Sequence, residues 1–462
     1  MFALIDGNNF YVSCERAFQP ALRGRPVVVL SNNDGCAISR SDEAKAMGIK
    51  MAQPYYQFRE LERTADLVCL SANFELYGDM SARMMAIAAG LGPLQEIYSI
   101  DESFIGDLEG IPDLTHRARA IRGRIWRWTS IPTCIGLAPT KTLAKLCNHI
   151  AKDAERKPGS YPAELARVCN WAELTPAQHR ELLQRTPAGD VWGIGRRLAA
   201  RLAEQGIHTA LDLARMPATK ARGAWSVVLE RTVRELQGTS CISLEHAPAP
   251  KQQIACTRSF GHAINALPPL VEALSEFATR AAEKLRHSHQ LAGALLVFAH
   301  TSPFRSGPRF NQSITIPLQR PTSDTRTLLH AAVGGLRKIY QPGFELAKAG
   351  VMLLDLRPAN TQQQTELLFE EPRTRRNEDK LMEAMDRINA RYGKATVHLG
   401  STGHTQTDDA GWRMKQEHRT PRYTTRLDEI PIARAYPPTP GLQIFRLRGC
   451  TRLACPSNLP RL

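Results

Sequence analysis

An α+β fold in several compact units is what this sequence predicts, on three observations. Residues 1–150 alternate short β-branched and aromatic runs with helix-spaced segments. Residues 163–240 carry Leu and Ala at helix spacing. From residue 254 onward the order is strand, helix, strand, strand, helix, strand. At 462 residues the chain is too long for a single core and divides into about three or four units.

In the first unit, "FALID" (2–6), "PVVVL" (26–30), "ADLVCL" (65–70), "QEIYSI" (95–100) and "PTCIGLA" (132–138) read as strands. "DMSARMMAIAAGL" and "DLTHRARAIRGRIWRWT" between them have amphipathic helix spacing. The polar-to-helical stretch beginning "SNNDGCAISRSDEAKAMG" reads as a subdomain hung from the sheet, and "RKPGSYP" (156–162) breaks the pattern before the helical unit. In the last unit "IACTRSF", "ALLVFA", "SITIPL" and "GVMLLDL" are the strands. The first helix places Leu270, Leu274, Phe277, Ala281 and Leu285 on one stripe, and the second carries Leu328, Leu329, Ala332, Val333, Leu336 and Ile339. That is a split βαβ plan, one four-stranded sheet with two helices on one face. After Arg357 the chain turns rich in Gln, Thr, Arg and Pro and reads as a flexible tail, apart from a helix-like piece near 378–392.

Composition narrows the class. Apolar residues are 43% and charged residues 23%, ordinary for a soluble protein, and no apolar run approaches the roughly 18 residues a membrane span needs. "MFALIDGNNF" lacks a basic n-region, and the ten cysteines are scattered singly, so a reduced, cytoplasmic protein is expected, with no membrane partner. Lys and Arg outnumber Asp and Glu by 60 to 45, a formal charge of +15 that suits a phosphate-rich partner.

"IYSIDESF" (97–104) sets Asp101 and Glu102 side by side, and "FALID" ends on Asp6. If the two strands are neighbours, Asp6 and Asp101 stand at one sheet edge and Glu102 reaches the same spot from the turn. Three converging carboxylates need countercharge, and oxygen-only ligands suit Mg²⁺. Adjacent acids at a strand end are also a common solvated turn, and spacing alone does not choose between the two.

The wider context does. "ALIDGNNFYVSCE", "SIDESF" and "GLAPTKTLAKLCNHIAK" resemble the Y-family DNA polymerases, the lesion-bypass enzymes. "VVVLSNNDGC", "DVWGIGRRLAARLAEQGI", "VVLERTVREL" and "TPRYTTR" (420–426) are similar to the UmuC branch, the catalytic subunit of bacterial DNA polymerase V and its plasmid-borne relatives. The resemblance covers residues 1–427. It implies a right-hand architecture: palm at 1–18 and 75–155, small fingers at 19–74, a helical thumb with a helix-hairpin-helix at 156–240, a βαββαβ little finger at 241–357, and a C-terminal tail at 358–462.

By position, Asp6, Asp101 and Glu102 would bind two Mg²⁺ ions for template-directed addition of deoxynucleotides. Tyr11, following Phe10, matches the steric gate that excludes a 2′-hydroxyl; the other meaning of Phe10-Tyr11 is a core pair at a helix start. Lys152 matches the triphosphate-binding lysine rather than a solvated helix cation. The fingers depart from the pattern. Asp42 and Lys45 stand where many relatives have an aromatic residue and an arginine, and Arg40 is an alternative contact. Gly193 and Gly195, with Arg196 and Arg197, resemble the hairpin that grips a DNA phosphate, although a glycine turn before a helix is also a simple cap. Gln364, Leu367 and Phe369 fit the QxxLxF pattern of sliding-clamp-binding peptides, a short pattern that also arises by chance. Residues 436–462, with Cys450 and Cys455, have no counterpart. The resemblance further implies error-prone bypass of damaged DNA in the SOS response, with a UmuD′-like dimer, RecA and the sliding clamp as partners. A DNA-binding protein without catalysis and a nucleotidyl cyclase are the competing classes; the three acids with Tyr11 argue against the first, the thumb and little finger against the second.

Overall fold

The computed structural model describes residues 1–245, 249–305, 307–359, 372–402, 412, 414–430 and 432. The first strand, β1 (Phe2–Gly7), leads into α1 (Phe10–Phe18) through Asn9, whose left-handed φ of 48° is one that Asn tolerates. A small unit follows, with strands β2 (Val27–Leu30), β3 (Ala37–Arg40) and β4 (Val68–Ser71) in the order β3-β2-β4, and helices α2 (Asp42–Ala46) and α3 (Leu61–Thr64). Val28, Leu30, Ala37, Phe58 and Leu67 give it a core of its own.

The chain then returns to the first sheet by α4 (Phe74–Ala88), β5 (Leu94–Ile97), β6 (Glu102–Gly106), α5 (Leu114–Thr129), β7 (Thr133–Ala138) and α6 (Lys141–Arg156). A last short strand, β8 (Val168–Asn170), pairs parallel with β7 and completes the order β5-β6-β1-β7-β8. This sheet therefore continues past residue 155, where the palm was expected to stop. Alternation decides its two faces. Ala3, Ile5, Ile105 and Ile135 face α4 and α5, while Leu4, Phe104 and Cys134 face α6.

One strand expectation is corrected. Residues 98–101 of the predicted strand 95–100 and its acid form a turn, because Glu102 carbonyl accepts from the Tyr98 and Ser99 amides at 3.0 and 3.1 Å. Ser99 Oγ also accepts from the Glu102 amide at 3.1 Å and donates to Asp101 Oδ1 at 2.6 Å. Local hydroxyl bonds override the β propensity of Ile and Tyr here. Asp101 sits in the turn of the hairpin and Glu102 opens β6.

The helical unit contains α7 (Pro176–Arg185), α8 (Arg196–Ala203), α9 (Ala210–Arg215), α10 (Ala218–Ala224) and α11 (Val227–Leu236), sharing a core with the α6 face of the first sheet. Then come β9 (Ile254–Ile264), α12 (Leu267–His287), β10 (Gln290–Thr301), β11 (Asn311–Thr322), α13 (Thr325–Ile339) and β12 (Leu346–Pro358), an antiparallel sheet in the order β11-β10-β12-β9 with both helices on one face. Leu270, Leu274, Phe277, Ala281 and Leu285 are all buried, as their spacing predicts. Helix α14 (Pro372–Tyr392) docks on α12 through the Arg286–Asp386 pair at 2.6 Å. Residues 414–430 run back across the first sheet's helices. The predicted clamp residues Gln364, Leu367 and Phe369, and all of 436–462, lie outside the described residues.

Candidate active site

Strands β1 and β6 are antiparallel neighbours with Asp6 directly opposite Glu102, so the two side chains leave the same face of the sheet. The Gly7 amide donates to the Asp101 carbonyl at 2.8 Å, which holds the acidic turn against the end of β1. All three acids line one cleft of about 450 Å³ between the five-stranded sheet and the small unit. Gly7, Asn9, Phe10, Tyr11, Ile38, Ser39, Arg40, Lys45, Met51, Ile100, Lys152 and Arg156 form the rest of its wall.

Each acid has a partner of its own. Lys152 Nζ is 2.5 Å from Asp6 Oδ2, Lys145 Nζ is 3.0 and 3.1 Å from the two Glu102 oxygens, and Asp101 accepts from Ser99. So held, the acids do not close around one point, and among the described residues no group of three or more His, Cys, Asp or Glu is arranged to hold a metal ion. Asp6 is pushed up to about 7, first by burial, with Glu102 and Asp101 also raising it against the pull of Lys152. Carboxylate oxygens lining a common cleft are the donor type that hard divalent cations take.

The opposite wall is cationic. Lys45 Nζ donates to Asn9 Oδ1 at 2.6 Å and to Asp42 at 3.0 Å, and Arg156 donates to the same Asn9 oxygen at 3.3 Å. Arg40 is anchored through the Ile49 carbonyl at 2.7 Å. Asn9 thus ties the small unit to the sheet. Both members of the predicted pair line the cleft, Phe10 as a core residue 3% exposed and Tyr11 with a half-buried ring. The Tyr11 ring stacks on Tyr77 at 4.6 Å with 18° between planes, and Phe74 meets it edge-on at 6.0 Å.

Lys145, Asn9 and Arg156 are site residues that sequence reasoning missed. A signal existed for the lysine, since Lys141, Lys145 and Lys152 fall on one stripe of α6. Lys145 also lies over the Tyr98 and Trp192 rings at 4.5 and 5.3 Å, linking the acidic turn to the helical unit. There Gly193 has φ 88°, Ile194 is buried, Gly195 caps α8, and Arg196 and Arg197 are exposed. The hairpin glycines stand some way along the chain from the acids and do not line their cleft.

The impB/mucB/samB family matches residues 5–149, its C-terminal domain residues 251–367, and a domain of unknown function (DUF4113) residues 379–433. Protein UmuC of Salmonella typhimurium strain LT2 is 44% identical over 93% of this chain and 99% of its own length. Protein MucB of Escherichia coli is 41% identical over 94% and 99%, and DNA polymerase IV 1 of Bacillus subtilis is 26% identical over 86% and 92%. Among solved structures, a Y-family DNA polymerase chimera of Dbh and Dpo4 shares the fold, with a TM-score of 0.60 and 17% identity over 78% of this chain and all of that one. By sequence and by fold the chain belongs to the impB/mucB/samB family, the UmuC branch of the Y-family DNA polymerases.

Proposed function

We propose that the cleft between the five-stranded sheet and the small unit is the reaction centre of this error-prone, lesion-bypass DNA polymerase. The observation that carries the reading is the facing of Asp6 and Glu102 across β1 and β6, beside Asp101 and opposite a cationic wall. The sheet is the palm, the small unit the fingers, the helical unit the thumb and the βαββαβ unit the little finger.

Asp6, Asp101 and Glu102 would hold two Mg²⁺ ions. Bound there, divalent cations would supply charge to lower the pKa of a primer 3′-hydroxyl and to offset that of the triphosphate. The reaction is displacement of pyrophosphate from the α-phosphorus by the primer 3′-oxygen. Lys152, Arg156, Lys45 and Arg40 orient the triphosphate from the wall facing the acids, where the fold already concentrates positive charge. Lys152 and Lys145 counter the charge of Asp6 and Glu102. Tyr11 lies beneath the sugar and rejects a 2′-hydroxyl by contact. The Gly193–Gly195 turn and the exposed Arg196 and Arg197 hold the DNA backbone without reading sequence. Gln364, Leu367 and Phe369 dock a sliding clamp, and a UmuD′-like dimer and RecA support synthesis across lesions.

Primer extension across an abasic site with Mg²⁺, with and without the UmuD′-like dimer and RecA with ATP, tests this. Extension that vanishes in Asp101→Ala supports the reading. Extension surviving that change would remove the cleft from the reaction.

A further inference from the structure

The segment 414–430 takes no part in the chemistry described so far, yet it reaches the catalytic half of the molecule. Trp412, just before it, is buried in the little-finger core edge-on to Phe277 and beneath Arg258. The chain then crosses to the two helices that carry the Tyr11 and Tyr77 rings. Asn73, the cap of α4, donates its amide to the Thr420 carbonyl and hydroxyl, both at 3.1 Å, and to the Pro421 carbonyl at 3.0 Å. His418 and Ser71 exchange bonds of 3.1 and 3.0 Å, and the Tyr423 ring stacks on Phe18 of α1 at 4.9 Å.

Thr420 reaches further in. Its hydroxyl donates to Glu15 Oε1 at 3.1 Å, and the same oxygen accepts from the Tyr77 hydroxyl at 2.7 Å. The Thr420 hydroxyl has one proton to give and a lone pair to spare; the first goes to Glu15 and the second takes the Asn73 amide. Glu15 and Tyr77 are both wholly buried, and the Tyr77 ring is the one on which Tyr11 lies flat. A contiguous path of contacts thus runs from the C-terminal segment to the face of the ring in the cleft.

We propose that Thr420 is a positioning residue for sugar selection: through Glu15 and Tyr77 it fixes the plane of Tyr11, so that the C-terminal segment helps to exclude ribonucleotides. This rests on Tyr11 being the ring that meets the sugar. Rejecting one added hydroxyl by contact requires a ring that does not yield, and a ring resting on a tilting neighbour yields. Unlike a residue that merely stabilises the fold, Thr420 then affects the ratio of ribonucleotide to deoxynucleotide insertion.

The test compares kcat/KM for rCTP and dCTP opposite a template guanine, using the full chain under the primer-extension conditions above. Thr420→Val keeps the shape and removes the hydroxyl, Thr420→Ser restores it, and Tyr77→Phe cuts the path one link further in. Loss of one supporting hydrogen bond predicts a rise in the rCTP/dCTP ratio of about fivefold for Thr420→Val and Tyr77→Phe, with Thr420→Ser near the parent. Tyr11→Ala is the reference. If it relaxes selection while Thr420→Val and Tyr77→Phe lower both nucleotides together at an unchanged ratio, the positioning role is wrong and the gate stands. If Tyr11→Ala itself leaves the ratio unchanged, the gate is wrong and the proposal goes with it. Should Thr420→Val fail to fold, Tyr77→Phe decides by the same ratio.

Discussion

Lys152 Nζ lies 2.5 Å from Asp6 Oδ2, and this pair is one of three along a single stripe of α6. Lys141 pairs with Glu96 at 2.5 Å and Lys145 with Glu102 at 3.0 Å. Glu96 and Leu4 both stand opposite Phe104, and Asp6 opposite Glu102, so all three acids belong to the sheet face that α6 covers. The helix is thereby registered on the acidic face along its length. Its distance from the sheet determines whether Lys145 and Lys152 reach their partners at all.

Gly136 sets that distance. A Cβ there would stand 2.2 Å from the Ala144 carbonyl oxygen and 2.4 Å from the Asn148 amide nitrogen, both backbone atoms of α6 that no rotamer change can move. Gly136→Ala must therefore lift the helix from β7. Overpacking of this kind predicts a loss of about 2–3 kcal/mol, with a lower Tm and a still larger loss of nucleotide insertion. Thermal unfolding and single-nucleotide insertion check both parts.

Glu15 gives the fold a pH dependence. Burial raises its carboxyl to about 7, against the opposing pull of the Tyr77 and Thr420 hydroxyls. The sign follows from proton counts. Below the ordinary carboxylate range both folded and unfolded chains keep the proton, and stability is full. As pH rises toward 7 the unfolded chain ionises first, so stability falls through that window. Glu15→Gln keeps an acceptor for both hydroxyls and cannot ionise. It should flatten the fall in Tm and be more stable than the parent at pH 8 by about 2–3 kcal/mol. Parallel pH profiles of the two proteins would contradict this.

What the sequence disclosed follows the range of the interactions involved. The stripes of α12 and α13 were legible because burial on one helix face imposes a period, and the order of the little finger came with them. That Asp6 meets the acidic pair was legible because β1 and β6 are regular neighbours, but the expected roles are reversed: Glu102, not Asp101, stands opposite Asp6 on the strand, and Asp101 lies in the turn. The turn at 98–101 was not, since Ser99 bonds of only two and three residues' reach outweighed the strand propensity of Tyr98 and Ile100. Least legible was residue 420. Its partners Glu15 and Asn73 lie 405 and 347 residues away, and polar contacts at that separation leave no periodic trace.

The exposed Arg196 and Arg197 at the start of α8 make a prediction about DNA binding. If each neutralises one phosphate, replacing either with Ala should weaken primer-template binding to a similar degree on unrelated sequences. The slope of log affinity against log salt should fall by about 0.9 per arginine. Titrations at several salt concentrations measure it, and an unchanged slope would place the thumb contact elsewhere.

The most direct test of the central claim is a count of Mn²⁺ ions, standing in for Mg²⁺, bound to the full chain with primer-template and a non-hydrolysable deoxynucleoside triphosphate. Electron paramagnetic resonance of the free ion gives that count. Two protein-dependent ions are predicted for the parent, with loss of at least one in Asp101→Asn and of both in a variant that also carries Asp6→Asn and Glu102→Gln. A triple variant that holds the same number of ions as the parent, at the same affinity, would contradict the account.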